Sequence, residues 1–325
     1  MSGGSGSGSG TGSGPGGVSP AGVVGTGGAA SAGGYYGAGP SASNPDLELA
    51  KSVVNALLVS TAEFYTEYAV GVFEHENGRH VVLVSTDGRS YLPPTARVPV
   101  SVSIARVDPL GPAGWDERFV GHSRPVETLN AYAEAVAPEL KWRAVATSVS
   151  DDARPVGPVF AHVGRPAGRS APEAVKGGRS RLAATWPDYA RLVPAVADDR
   201  RQVAGLALAD RIIAKTPTEV VESIDEAMVK GFIAGDLTDQ QWLEFEHAAG
   251  MATMNAAVAG RSIGVGAPGV DRRLQQAYEA AFSLMILRET LLCVRPAGAP
   301  MLEDLVYLAL QSGVDPGDVL ADTGS

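Results

Sequence analysis

An Asn77-Gly78 pair set between two unbroken apolar runs constrains this chain more than any other feature. Tyr68-Ala69-Val70-Gly71-Val72-Phe73 precedes it and Val81-Val82-Leu83-Val84 follows it. Asn and Gly both tolerate positive φ, so the pattern predicts a tight β-hairpin. Tyr91-Leu92-Pro93-Pro94 then ends the pairing, because neither proline offers an N–H to a ladder and the chain must leave the sheet or follow its edge.

The hairpin, the small-residue turn Ser85-Thr86-Asp87-Gly88-Arg89-Ser90 and the aromatic-aliphatic-Pro-Pro stretch resemble the C-terminal module of EspK-type secretion-associated proteins of mycobacteria and their relatives. The resemblance runs over roughly residues 46–290 and is strongest from Tyr68 to Val107. A plainer reading of the Pro-Pro pair is that it only terminates an edge strand.

The elements around the hairpin define an α+β fold. Asn44-Pro45-Asp46 opens a helix, with Asn as cap, Pro at the first helical position and Asp favourable to the dipole; it is expected to run to about Phe64. Val98, Val100, Val102 and Ile104 alternate with small or polar residues as a half-buried strand does. A short strand is expected at Trp115 to Val120, a helix from Arg124-Pro125 and a last strand from Leu140 to Val149. The expected product is a small, mostly antiparallel sheet with helices on one face.

Residues 1–43 are Gly, Ser, Ala, Pro and Thr with almost nothing else and no charge, a composition expected to stay disordered. Residues 44–150 form the expected α+β domain, residues 151–185 a Gly/Pro/Arg-rich linker, and residues 186–325 a helical domain. Arg154, Arg165, Arg169, Lys176, Arg179 and Arg181 read as a solvated basic run. In the helical part, Thr216-Pro217-Thr218-Glu219 and Thr238 to Gln241 read as capping boxes with Thr216 and Thr238 as caps. Helices are expected at Gln202 to Lys215, after Thr238, at Asp271 to Val294 and at Met301 to Gln311, with Pro296 separating the last two.

Several motifs fail in context. Gly260-Arg261-Ser262-Ile263-Gly264 matches a nucleophile elbow, but helical residues precede it and no histidine follows it, His247 being the last. Gly264-Val265-Gly266-Ala267-Pro268-Gly269 matches the dinucleotide fingerprint with no strand before it. His75, His80, His122, His162 and His247 lack zinc-ligand spacing, and no Pro-Cys-x-x-Cys segment of a deaminase occurs. Glu222, Asp225 and Glu226, and Glu244 with Glu246, read as solvated helix faces. Cys293, the single cysteine, lies in an apolar helix segment and reads as a buried small hydrophobe. No catalytic, cofactor-binding or metal-ligating residue is assigned, and no cofactor is expected.

A net charge of −10 argues against nucleic acid as a partner. The apolar stretch Ala280 to Leu287 ends at Arg288 and Glu289, well short of the ~20 residues of a membrane span. With no signal-peptide pattern at the N-terminus either, a cytoplasmic location is expected. The resemblance implies a non-enzymatic protein, a chaperone or adaptor that binds a secreted protein substrate of a type VII (ESX) system. The export signals of such substrates are absent: no Trp-x-Gly surrounds Trp115, Trp142, Trp186 or Trp242, and no tyrosine has an acidic residue four positions on. A secreted effector or structural partner of the same system, exported with another protein, is the alternative, followed by an enzyme of unrecognised type. Candidate partner-binding residues are Tyr91 and Leu92 of the family-like segment and the aromatic pair Trp242 and Phe245, three residues apart on one helix face.

Overall fold

The computed structural model describes residues 44–64, 66–86, 89–122, 124–148, 155–165, 177–224, 229–231, 234, 236–260, 263, 272–294 and 301–322. The tail of residues 1–43 lies outside them, as do Arg154, Arg169, Lys176, Asp225, Glu226, Ser262 and the Gly264 to Gly269 match. Helix α1 (Pro45–Ser60) begins as its sequence requires. The Asn44 side chain accepts from the N–H groups of Asp46 (3.0 Å) and Leu47 (3.2 Å). Strands β1 (Tyr68–His75) and β2 (Gly78–Ser85) form the expected hairpin. Its closing pair is His75 with Gly78, so Glu76-Asn77 is the loop and Gly78 alone carries positive φ, +117°.

The sheet order is β3-β2-β1-β4-β5, with β3 at Val102–Ile104, β4 at Lys141–Thr147 and β5 at Phe160–His162. β2, β1 and β4 pair antiparallel, whereas both edge strands pair parallel, so the sheet is mixed. The edge strand after Pro99 is shorter than its alternation suggested, because the chain turns at its start, the Val102 N–H donating back to the Pro99 carbonyl (3.1 Å), and only Val102–Ile104 joins the sheet. Trp115–Phe119 is a helix, α2, not a strand: Gly114 takes a left-handed φ of +70° and starts it, and Trp115 and Phe119 turn inward four residues apart.

Both faces of the sheet are covered, not one. Tyr68, Val70, Val72, Val81 and Leu83 face α1 and the helical half. Ala69, Phe73, Val82 and Val84 face α2 and α3 (Pro125–Val136). The unbroken apolar runs of β1 and β2 are the signature of that double burial; a strand with one wet face alternates.

The helical half comprises α4 (Arg181–Thr185), α5 (Pro187–Leu192), α6 (Asp198–Lys215), α7 (Thr218–Glu222), α8 (Asp239–Gly260), α9 (Arg272–Cys293), α10 (Leu302–Gln311) and α11 (Gly317–Asp322). The capping box at Thr238 forms: its N–H donates to Gln241 Oε1 (3.0 Å) and the Gln241 N–H donates back to its hydroxyl (3.3 Å). Thr216 does not cap α7. Its hydroxyl donates backward to the Ile212 carbonyl (2.9 Å), closing α6, and Pro217 takes the cap position.

The expected boundary at residues 151–185 does not divide the fold. Residues 43–325 form one compact unit, and its largest hydrophobic core runs from Ala50 and Val70 through Leu182 and Leu208 to Tyr307. The described part of the supposed linker is structural: it supplies β5, a backbone bridge between Arg179 and Val98 (2.8 and 3.0 Å), and α4. Arg165 and Arg179 of this stretch bond to backbone carbonyls. Arg165 donates to the carbonyls of Phe64 (2.8 Å) and Thr66 (3.1 Å), and Arg179 to that of Val102 (2.6 Å).

Candidate functional site

Tyr91 and Leu92 leave the sheet after β2 and enter the space between it and the helical half, where both are buried. The Tyr91 ring packs edge-on against Phe282 of α9 and beside Tyr307 of α10, at centroid distances of 6.4 and 6.1 Å. Its hydroxyl donates to Glu289. The Leu92 N–H donates to the Tyr307 hydroxyl (2.7 Å), which also accepts from the Gln311 amide (3.0 Å).

Arg181 completes this network. It is 1% exposed, pairs through Nη1 with Glu289 (2.5 Å) and through Nε with Asp304 (2.7 Å), and donates to the Leu92 carbonyl (3.2 Å). Its guanidinium lies 4.4 Å from the centre of the Tyr307 ring. Burial works against the Arg181 charge, but Glu289 and Asp304 outweigh it and hold the group firmly cationic. Burial also raises the Glu289 carboxyl above its ordinary range, with Arg181 and the Tyr91 hydroxyl pulling the other way. Tyr91 and Tyr307 are pushed up, burial being the main cause, so both phenols stay protonated.

The Tyr-Leu-Pro-Pro segment is therefore an internal joint between the sheet and three helices, and a partner does not reach it in the folded chain. It also does more than stop an edge strand. Ser90 just before it holds a positive φ of 56°, and Arg106 donates to the Arg89 carbonyl (3.0 Å) to fix the approach.

Phe245 is buried as well, in a second cluster with Val220, Ile224, Leu287 and Leu291. Trp242 sits at the rim of that cluster, half-buried, with its indole N–H donating to Glu246 (2.5 Å). Tyr91 and Phe245 thus pack against different stripes of α9. Phe282, Met285 and Glu289 face Tyr91 and the main core, whereas Leu287 and Leu291 face Phe245. The four residues do not form one surface.

Sequence reasoning missed Arg181, Glu289 and Asp304. A signal for the first two existed: Glu289 interrupts an apolar helical run from Phe282 to Val294, and an acid on a buried stripe requires a buried cation.

Two further polar clusters lie on the α3 side. Asp108 Oδ2 accepts from the Tyr132 hydroxyl and meets His80 Nε2, each at 2.6 Å. Burial raises the Asp108 carboxyl, but the bonds from His80, Tyr132 and the Leu110 N–H prevail and hold it below the usual range. His122 is enclosed, with Nδ1 at 2.6 Å from the Thr128 hydroxyl and Nε2 at 3.3 Å from Glu127. Burial pulls it down to about 4, against the opposing charge of Glu127. Beside it, Gly121 at φ +84° lies so close to Ile263 and Tyr278 that a Cβ would meet them at 2.9 and 3.0 Å, tying this corner to the end of the α8–α9 hairpin. One pocket of about 210 Å³ opens where α6 and α10 end, lined by Arg89, Lys215, Glu279, Phe282 and Ser283 among others.

Residues 58–274 match the model of the EspK C-terminal domain, which takes in the sheet, the Tyr-Leu-Pro-Pro joint, α4 with Arg181 and all of α8. The chain belongs to this family, and membership associates it with type VII secretion. Among solved structures, a fragment (residues 184–410) of the conserved hypothetical protein Rv3899c from Mycobacterium tuberculosis aligns at 14% identity and a TM-score of 0.35, covering 82% of this chain and 94% of that one. No curated protein matches. Among the described residues no helix is long and apolar enough to cross a membrane.

Proposed function

We propose that this chain is a non-catalytic adaptor or chaperone that binds a secreted protein substrate of a type VII system in the cytoplasm. One observation carries the reading: large apolar side chains left in water concentrate on the helical half, with Leu192 of α5, Val203 and Leu206 of α6, and Leu243, Val258 and Leu274 on α8 and α9. On α6, Val203 and Leu206 lie one turn apart between Asp199 and Asp210, an apolar strip with an acidic edge suited to an amphipathic helix. The shifted ionisable groups Arg181, Glu289, Tyr91 and Tyr307, by contrast, contact one another inside the core.

Affinity capture from native lysate, compared between the unaltered chain and a Val203→Asp/Leu206→Asp variant, tests this. A secretion-system substrate retained by the first and lost by the second, at unchanged melting temperature, is the expected result. Accumulation of the chain in culture filtrate would favour the secreted-effector role instead. Turnover of an ester or nucleotide by the purified protein, abolished by Ser262→Ala, would overturn the non-catalytic reading.

A further inference from the structure

Asp199, Val203, Leu206, Asp210 and Ala214 follow one another along α6 at intervals of four, three, four and four residues, and all five are exposed. Those intervals keep them on one stripe of the helix. The buried residues Ala204, Gly205, Leu208, Ala209 and Ile212 take the opposite side, so the core of this chain uses α6 only there. In the middle of the stripe Val203 is 65% and Leu206 42% exposed, with a carboxylate one turn beyond them at each end.

The charges decide what can lie on this stripe. Among the described residues Asp199 and Asp210 form no ion pair, whereas Arg201 pairs with Asp198 (3.0 Å) and Arg211 with Asp318 (2.6 and 2.9 Å). Arg200 and Arg211 stand on one flank, about 90° round the helix from the stripe, and Lys215 turns into the pocket that also holds Glu279. The other flank is acidic. Ile213 on that side packs with Val220 and Val221 of α7, and Glu219 and Glu222 of α7 are exposed.

We infer that this stripe receives a basic amphipathic helix of the partner protein, with apolar residues one turn apart seated on Val203 and Leu206 and a lysine or arginine opposite each aspartate. The inference rests on the adaptor reading and names the chemistry of its partner. A second copy does not fit. With acid at both ends, two α6 stripes laid together, parallel or antiparallel, set carboxylate against carboxylate twice, and the net charge of −10 adds to the repulsion. Asp199 and Asp210 lie eleven residues apart, about 17 Å along the axis and roughly two Debye lengths at physiological salt, so each acts on the cation opposite it alone. A partner helix running along α6 has the same rise and meets both with cations at a similar spacing. Exposed pairs of this kind add little affinity one by one, so their effect is to choose between partners of unlike charge.

Two synthetic helical peptides of about 18 residues, the length of α6, test this: they share one leucine seam, flanked by lysines in the first and by glutamates in the second. Fluorescence anisotropy with the full chain should show the lysine peptide binding at least about tenfold more tightly at low salt and losing most of that advantage at high salt. Asp199→Lys/Asp210→Lys should reverse the preference. Glu134→Lys/Glu139→Lys, an equal change of charge at exposed positions in and just after α3, should leave it in place. Val203→Ser/Leu206→Ser should weaken both peptides at an unchanged melting temperature. Equal binding of the two peptides, no binding of either up to about 100 μM, or a preference that the Glu134 and Glu139 reversals shift as much as the aspartate reversals do, would overturn the inference. The adaptor reading fails on a different result, a captured secretion substrate that is indifferent to Val203→Asp/Leu206→Asp.

Discussion

Replacing Arg181 by methionine keeps most of the side-chain volume and removes the charge, which isolates what the buried pair with Glu289 contributes. The carboxylate is left in the core with the Tyr91 hydroxyl as its remaining bonding partner, and ionised it would be strongly unfavourable there. It escapes by taking a proton. For a glutamate of ordinary pKa near 4.3 that escape costs about 3.7 kcal/mol at pH 7, at 1.36 kcal/mol per unit, and about 1 kcal/mol at pH 5. Asp304 is partly exposed and recovers its hydration, so it adds little. Arg181→Met is thus expected to destabilise by about 3–4 kcal/mol at pH 7, with most of the loss recovered at pH 5. The sign is that of a carboxyl whose folded pKa is raised: stability is full below the unfolded pKa and is lost as pH rises through the folded one. Urea unfolding at the two pH values measures it, and adding Glu289→Gln should return the pH 7 stability to within about 1 kcal/mol of the unaltered chain. A loss that is the same at both pH values, or one that Glu289→Gln does not repair, would refute the reasoning.

The two aromatic candidates on α8 should part company: Phe245→Ala is expected to cost about 3–5 kcal/mol and Trp242→Ala clearly less, read as unfolding midpoints, because only Phe245 is fully enclosed. His122 takes up its proton more readily in the unfolded chain. Stability should therefore decline as pH falls from about 6.5 towards about 4, and thermal unfolding across that window should lose this slope in His122→Gln. A fragment of residues 44–150 should fail to unfold cooperatively by circular dichroism, since the sheet face built on Val70, Val72, Val81 and Leu83 keeps α1 but loses the later helices that complete its cover.

Local signals were the readable part of this fold. Asn44, the Thr238 to Gln241 box and the Asn-Gly turn each settle a helix start or a hairpin within a few residues, and each formed apart from the shift of the loop to Glu76-Asn77. What escaped was non-local. Thr216 was misassigned because two helices meet there and its hydroxyl had two backbones to choose from; the one behind it won. The linker deceived by composition: Arg181 sits among glycines and prolines as solvated residues do, and only Glu289 and Asp304, more than a hundred residues on, show that it is interior. Phe245 was legible as important and illegible as buried, because an aromatic anchor and a core aromatic have the same spacing on a helix, and for Tyr91 and Leu92 the helices that enclose them lie some two hundred residues on.

The distance between Arg181 and the acids that hold it also sets a clock on biosynthesis. Asp304 follows Arg181 by 123 residues, an interval of roughly 6–25 s at elongation rates of about 5–20 residues per second. Until α9 and α10 have left the ribosome, the face of the sheet that packs on α1 has only part of its cover and Arg181 lacks both Glu289 and Asp304. For that interval the nascent chain is an incomplete molecule that other proteins can hold, and the closing of a single ion cluster marks the moment when it becomes a folded one.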